Sequence, residues 1–156
     1  MVVYFLRHAE AEPENGNDAK RKLTPKGLEQ AEKVGRFFVT HGLVPEAIIT
    51  SPLVRAKHTA KIVAKKLGGT GMIEGPWLAC GMTFETCLEE LRPFAKLASV
   101  ILVGHEPDFS QTIGAFLGKC QPGALNVRKA SLTAIDLRDL EPGGGRLQFL
   151  IPSRLM

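Results

Sequence analysis

Short runs of β-branched and aromatic residues alternate along this chain with longer segments in which apolar residues recur at helical spacing. The clearest runs are residues 2–6, 47–50 and 99–103, and residues 72–73 form a weaker fourth candidate. Such alternation is typical of α/β proteins, in which helices cover both faces of a mostly parallel sheet. We therefore expect a single-domain, three-layer α/β sandwich that spans residues 1–156.

Two dipeptides indicate where helices begin. Thr24 precedes Pro25, so its side chain can accept hydrogen bonds from free backbone N–H groups while the proline takes the first helical position. Ser51-Pro52 repeats this signal after the second strand. The positions that follow predict the buried side of each helix: Leu28, Ala31, Gly35 and Phe38 in the first, and Ala56, Thr59, Ala60, Val63 and Leu67 in the second.

The rest of the chain predicts two more helices and a hairpin. A third helical face lies within residues 84–94, with a break near Pro93, and a fourth helix follows Pro107. Residues 132–137 and 147–151 flank a glycine-rich turn, which is typical of an antiparallel hairpin. We expect these two strands to extend the mostly parallel sheet at its edge.

Polar side chains directly follow three of the predicted strands. His8 follows the first strand, Ser51 and Arg55 follow the second, and His105 follows the strand at 99–103. In an open α/β sheet the carboxyl ends of parallel strands meet at one edge, and ligands bind there. We therefore expect these residues, together with Arg7, to converge.

Arg7, His8, Arg55 and His105 together predict a phosphate pocket. Guanidinium groups bind phosphate oxygens through paired hydrogen bonds, and their charge should lower the pKa of a nearby histidine. A neutral His8 can then act as a nucleophile through one ring nitrogen while a backbone carbonyl holds the other N–H. His105 would donate to the transferring phosphoryl group. Burying this cluster is unfavourable without an anion, which favours a phosphate site.

Charge and composition narrow the range of partners. The net charge of +4 favours an anionic partner, but one Trp, one Tyr and no interleaved aromatic-basic motif argue against nucleic acid. No apolar stretch could span a bilayer and no signal peptide is recognisable, so we expect a cytoplasmic protein without a membrane partner. Cys80, Cys87 and Cys120 lack zinc or redox spacing and are interpreted as reduced, buried thiols.

Four sequence blocks occur in a specific order. They are Arg7-His8-Ala9; Asp18 and Arg21 before Leu23-Thr24-Pro25-Lys26-Gly27; Thr50-Ser51-Pro52-Leu53-Val54-Arg55-Ala56 with Thr59 after it; and Val103-Gly104-His105-Glu106-Pro107. In this order and spacing, residues 2–107 resemble the histidine phosphatase, or phosphoglycerate-mutase-like, superfamily. Within that superfamily the chain is most similar to the SixA-type phosphohistidine phosphatases.

The resemblance implies a fold, a mechanism and a set of site residues. The fold is phosphoglycerate-mutase-like; His8 becomes phosphorylated; and Arg7, Arg55 and His105 bind the phosphoryl group. Water then releases phosphate without a metal or any other cofactor. Larger branches of the superfamily carry a glutamate general acid after the second helix. Here only three nearby residues are candidates, and we interpret them as solvated: Glu85, Glu89 and Glu90.

The missing acid and the absence of insertions that close over small substrates favour a phosphorylated protein as the partner. A phosphohistidine imidazole is a good leaving group and needs little help from an acid. Four residues are predicted to contact substrate at the rim: Asp18, Arg21, Ser51 and Glu106. For Asp18 and Arg21, a salt bridge that orders the loop is an equal alternative.

Three other functions stay open at this point. The chain could be a phosphomonoesterase that acts on a small phosphate ester with the same four residues. It could also be a non-catalytic binder of phosphorylated partners. The third alternative is a metal hydrolase built on His8, Glu10, Asp18 and His105, which is the weakest because adjacent arginines oppose a bound cation.

Overall fold

The computed structural model describes residues 1–14, 16–118, 120–121 and 123–156. Six strands form one sheet: β1 (Val2–Arg7), β2 (Ala47–Thr50), β3 (Met72–Glu74), β4 (Ser99–Gly104), β5 (Leu132–Leu137) and β6 (Gly145–Ile151). The α-helices in the described residues are α1 (Pro25–Thr40), α2 (Val54–Lys66), α3 (Phe84–Leu91) and α4 (Asp108–Phe116).

The strands lie across the sheet in the order β3-β2-β4-β1-β5-β6. β3, β2, β4 and β1 are parallel to one another. β5 runs antiparallel to β1, and β6 runs antiparallel to β5. The predicted α/β sandwich, with a mostly parallel sheet and an antiparallel hairpin at its edge, is therefore confirmed.

Helices pack against both faces of the sheet, as β1 shows. Leu6 belongs to an apolar cluster with Phe38 of α1 and Val63 of α2. Phe5 points to the other face, where its ring lies 5.3 Å from that of Phe109 of α4 in an edge-to-face arrangement. Successive side chains of a strand point to opposite faces. Both faces of β1 are buried, which explains its continuous apolar sequence.

The first helix begins as predicted. Pro25 is its first residue, and the Thr24 hydroxyl accepts from the Gly27 amide at 3.0 Å. Leu28, however, is 37% exposed, and Gly27 takes the buried position instead. The reason is that the preceding loop packs over the helix start, where a methyl group at position 27 would collide with the Glu10 carbonyl oxygen.

The second helix begins later than predicted. It starts at Val54, after Leu53 in an extended conformation, and has no side-chain cap. Ser51 is fully buried, and its hydroxyl lies against His105 instead of serving as an N-cap. The Ser51-Pro52 signal was therefore wrong about the helix boundary.

Other local predictions have mixed outcomes. The break near Pro93 is confirmed, since α3 ends at Leu91 and a short 3-10 helix follows. All three cysteines are free thiols, but only Cys87 is buried. Cys80 and Cys120 lie exposed on connecting segments, so the interpretation of all three as buried was wrong. None of the helices in the described part of the chain has the length and apolar character needed to cross a bilayer.

Candidate active site

The candidate site lies at the carboxyl ends of β1, β2 and β4. The His8 amide, just past β1, donates to the Gly104 carbonyl of β4 at 3.0 Å, and the Ser51 amide, just past β2, donates to the Val103 carbonyl at 2.9 Å. Since β4 lies between β1 and β2 and continues directly into His105, backbone pairing alone brings these strand exits together. The two histidine rings are 5.1 Å apart between centroids.

His8 is buried and held as one tautomer. Its Nδ1 lies 2.7 Å from the Ala9 carbonyl oxygen. A carbonyl can only accept, so Nδ1 carries the proton and Nε2 keeps its lone pair. The Ala9 amide donates to the Thr59 hydroxyl at 3.1 Å, and that hydroxyl donates to the Arg55 carbonyl at 2.8 Å. Helix α2 therefore holds the segment that orients the His8 ring.

The pKa values of both histidines lie well below the ordinary value of 6.5. Burial is the main cause of the lowering of the pKa of His8 to about 3, and the charges of His105, Arg55 and Arg7 add to it. Burial, followed by the charge of Arg55, lowers the pKa of His105 to about 4. The sequence predicted the direction of these shifts from the arginines alone, whereas desolvation contributes more. Both rings are neutral near neutral pH.

The Ser51 hydroxyl contacts the ring of His105. The Ser51 hydroxyl oxygen lies 2.8 Å from His105 Nε2 and accepts from the Leu53 amide at 3.3 Å. When the hydroxyl donates its proton to Nε2, the ring proton of His105 is on Nδ1. That Nδ1 is buried and has no hydrogen-bond partner among the described residues.

Arg55 connects His8 to the loop that carries Asp18. Its Nε donates to His8 Nε2 at 3.3 Å, and its terminal nitrogens donate to the Asp18 backbone carbonyl at 2.8 Å and carboxylate at 3.0 Å. Arg21 binds the other oxygen of the same carboxylate at 2.7 Å. Asp18 and Arg21 thus form the loop-ordering salt bridge that the sequence offered as an alternative. Their contact with substrate stays a prediction.

Arg7 reaches the site from the last position of β1. One terminal nitrogen donates to the Val127 carbonyl at 2.9 Å, while its buried Nε has no partner in the described part of the chain. Burial lowers the pKa of Arg7, and the Glu106 carboxylate acts in the opposite direction. Glu106 accepts from the Ser110 amide at 2.9 Å, in the first turn of α4. Its contact with substrate also stays a prediction.

The site contains buried polar atoms without a protein partner. Arg7 Nε is an N–H donor, His105 Nδ1 is one in the tautomer in which Ser51 donates to Nε2, and neither has a partner among the residues that the structure describes. Buried donors in proteins are nearly always hydrogen-bonded, so a ligand with several acceptor oxygens fits here. Together with the guanidinium of Arg55 they can surround one phosphoryl group next to His8 Nε2.

The predicted metal-hydrolase alternative finds no matching geometry. It needed His8, Glu10, Asp18 and His105 on one ion, but Glu10 forms an ion pair with Lys26 at 2.9 Å and Asp18 is bound by two arginines. Within residues 1–14, 16–118, 120–121 and 123–156, no three His, Cys, Asp or Glu side chains are placed to share an ion.

Sequence reasoning missed two residues at the rim. The buried Asp108 carboxylate accepts from the amides of Gly81 at 2.8 Å and Met82 at 3.2 Å. This contact anchors the segment that carries Cys80, whose sulfur lies 3.7 Å from a terminal nitrogen of Arg55. The acidic residue directly after the fourth sequence block was an available signal for Asp108. No spacing or motif marked Cys80.

Comparisons with known proteins agree with this geometry. Residues 3–79 match the model of the histidine phosphatase superfamily (branch 1). An uncharacterised protein of Picosynechococcus sp. is 34% identical over 155 residues, which cover 95% of this chain and 89% of that protein.

Solved structures share the fold. The structure of the protein histidine phosphatase SixA complexed with tungstate superposes with a TM-score of 0.87, at 19% identity and over 99% of both chains. The alpha-ribazole phosphatase from Shigella flexneri superposes with a TM-score of 0.80, at 17% identity and over 96% of both chains. At these identities the likeness is one of fold.

The lowered pKa values of the two histidines predict how stability depends on pH. Below pH 6.5 the unfolded chain takes up protons on His8 and His105 that the folded chain excludes until about pH 3 and 4. The free energy of unfolding should therefore fall as the pH falls from 6.5 towards 4, by up to about 1.4 kcal/mol per pH unit for each proton. Urea unfolding across this range measures it, and the His8→Gln/His105→Gln variant should show a shallower slope. Equal slopes would contradict the buried, neutral state.

Proposed function

Because the chain belongs to the histidine phosphatase superfamily, we propose that it is a metal-independent phosphatase that hydrolyses phosphohistidine on a protein through a phosphorylated His8. The observation that carries the proposal is the unprotonated Nε2 of His8, which accepts from Arg55 Nε and lies in a site with buried polar atoms that have no partner among the described residues. The proposed nucleophile, His8 Nε2, thus lies in the same site as the groups that would bind the phosphoryl oxygens.

The first step transfers the phosphoryl group to His8. The Nε2 lone pair attacks phosphorus, an Nε2–P bond forms, and the bond from phosphorus to the substrate nitrogen breaks. A substrate imidazole that is protonated on its distal nitrogen departs neutral. His8 needs no base to remove a proton from Nε2, because the Ala9 carbonyl already holds the ring proton on Nδ1.

Charge that develops on the phosphoryl oxygens is met by fixed donors. Arg7 Nε, the Arg55 guanidinium and His105 Nδ1 are held in place by the backbone or by α2, so they need little reorganisation during the transfer. Arg55 Nε, which donates to His8 Nε2 in the free site, turns to an oxygen once phosphorus occupies that nitrogen.

The second step returns the enzyme to its starting state. A water oxygen bonds to phosphorus, the Nε2–P bond breaks, and the water proton passes to solvent as phosphate leaves. His8 regains its lone pair. Neither step needs a metal ion, since the arginines supply the positive charge.

Phosphohistidine is favoured over an alkyl phosphate because the carboxylates that the structure describes beside the four central residues are already engaged: Asp18 by Arg21 and Arg55, and Glu106 by the Ser110 amide. The three acidic candidates from the sequence are exposed on α3, as predicted: Glu85, Glu89 and Glu90. The buried Asp108 carboxylate is engaged as well, because one of its oxygens accepts from two backbone amides. An imidazole leaving group makes such help less important.

A small-molecule phosphomonoesterase is the second candidate. It is favoured by the fold shared with an alpha-ribazole phosphatase. We expect kcat/KM for a phosphohistidine protein to exceed that for an alkyl phosphate, such as a ribose 5-phosphate ester, by about 100-fold or more, the contribution of a general acid. Steady-state release of inorganic phosphate from both substrates measures the ratio, and a preference for the ester would favour the second candidate.

The phosphoenzyme itself tests the nucleophile. Rapid quenching after mixing with radiolabelled phosphohistidine protein should trap a label that is labile in acid and stable in alkali, with EDTA present throughout. His8→Ala should abolish the label, whereas His41→Ala, at the far end of α1, should keep it. An unlabelled wild-type protein that still binds the substrate would indicate a non-catalytic binder. A label that EDTA removes would contradict metal independence.

Ser51 is expected to support catalysis through His105. Without the hydroxyl, nothing holds the His105 proton on Nδ1, so Ser51→Ala should lower kcat by about 10- to 100-fold, somewhat less than the loss of a direct donor. Ser51→Thr should recover most of the rate, and Ser99→Ala, at the opposite end of β4, should have no effect on it. Nitrogen-15 NMR of the imidazole measures the tautomer directly. An unchanged tautomer in Ser51→Ala would refute the assignment.

A further inference from the structure

A loop on the Arg7 side of the site is anchored directly to the catalytic strand. The loop comprises residues 125–131. The Ala130 amide donates to the carbonyls of Arg7 at 3.1 Å and His8 at 3.2 Å, and the Val127 carbonyl accepts from the Arg7 side chain. Ala130 has a φ of 55°, which is unfavourable for a residue other than glycine and persists only where the surroundings impose it. The position of this loop beside the phosphoryl site is therefore fixed.

Two cations lie between these anchors. Arg128 is exposed and Lys129 is half-buried, and neither forms a salt bridge within the described part of the chain. Residues 125–131 contain no acidic side chain. Glu10 is an acidic neighbour of Lys129, but its carboxylate pairs with Lys26. The loop therefore contributes two cations without an ion pair in the described residues to the Arg7 side of the site.

A groove of about 900 Å³ begins at the same place. Its lining includes Pro107, two residues after His105, together with Leu125 of the loop and Gln111 and Ala115 of α4. None of its lining residues that the structure describes is charged. Such a volume matches sites that enclose a whole organic ligand. It is far larger than one phosphoryl group, so it has room for the chain segment that flanks a phosphorylated residue.

We propose that the loop 125–131 and this groove form a docking surface for an acidic segment next to the phosphorylated residue of the substrate protein. The inference rests on the proposed function, which makes a phosphorylated protein the substrate. Charge complementarity selects the partner: the loop offers two fixed cations, and the groove accepts uncharged side chains between them and α4. An acidic flank also approaches faster and in a defined orientation.

Binding of short peptides tests the docking surface without turnover. The probe is a fluorescent peptide that carries a non-hydrolysable phosphonate analogue of phosphohistidine, flanked either by glutamates or by glutamines. We expect the wild-type protein to bind the glutamate peptide about three- to tenfold more tightly at low salt, the effect of two largely solvated charge contacts. The preference should disappear at about 0.5 M salt, where the screening length is only a few ångströms.

Charge-reversal variants assign the preference to the loop. Arg128→Glu/Lys129→Glu should lose or invert it, whereas Lys61→Glu/Lys65→Glu, the same change in charge on exposed positions of α2, should retain at least part of it. Ala115→Trp fills the groove and should weaken both peptides. Equal affinity of the wild-type protein for the two peptides at low salt would overturn the proposal, as would an unchanged preference in Arg128→Glu/Lys129→Glu variants whose thermal unfolding shows that they are folded.

The two proposals fail separately. Labelling of wild-type His8 by radiolabelled phosphoramidate, a small donor without flanking residues, reports on the catalytic function alone. Peptide affinity reports on docking alone, because the phosphonate cannot transfer. A labelled enzyme with no preference for the acidic peptide would contradict only the proposed docking surface. An unlabelled protein that keeps the preference would contradict only the proposed phosphatase activity.

Discussion

The burial of two imidazoles and a guanidinium group at one edge of the sheet is the constraint on which the rest of the structure depends. His8, Arg55 and His105 are each no more than 6% exposed. The arrangement is tolerable because both histidines are neutral and strand pairing fixes their backbone. The charge of Arg7 lacks a full complement of acceptors, since its buried Nε has no partner among the described residues. An anion bound beside these residues would therefore stabilise the folded protein.

Asp18 explains how Arg55 can stay in place when no anion is present. Its carboxylate binds Arg55 at 3.0 Å, but its side chain is 41% exposed and it is shared with Arg21. Arg21 is the leading cause of the lowered pKa of Asp18, so the carboxylate stays ionised. Arg55 is therefore oriented by a partner at the rim while its Nε remains directed at His8. The two ion pairs of Asp18 therefore order the loop and Arg55 together.

The sequence predicted most of the fold and the four central residues because both depend on local patterns. Thr24-Pro25 caps a helix through a contact with a residue three positions along the chain, so the tertiary structure does not alter this helix start. Ser51-Pro52 has the same appearance, yet its hydroxyl is used by His105, 54 residues away, and the helix begins later. The anchoring of the Cys80 segment by Asp108 could not be predicted from the sequence either, because it joins two segments that only the folded chain brings together.

Asp108 connects the shape of the rim with the choice of substrate. Its buried carboxylate is held at the rim, because one of its oxygens accepts from the amides of Gly81 and Met82. Under the proposed function, the Asp108 carboxylate therefore builds the rim and is not assigned to the leaving group. The leaving group must then bring its own proton, and an imidazole does so where a sugar oxygen does not.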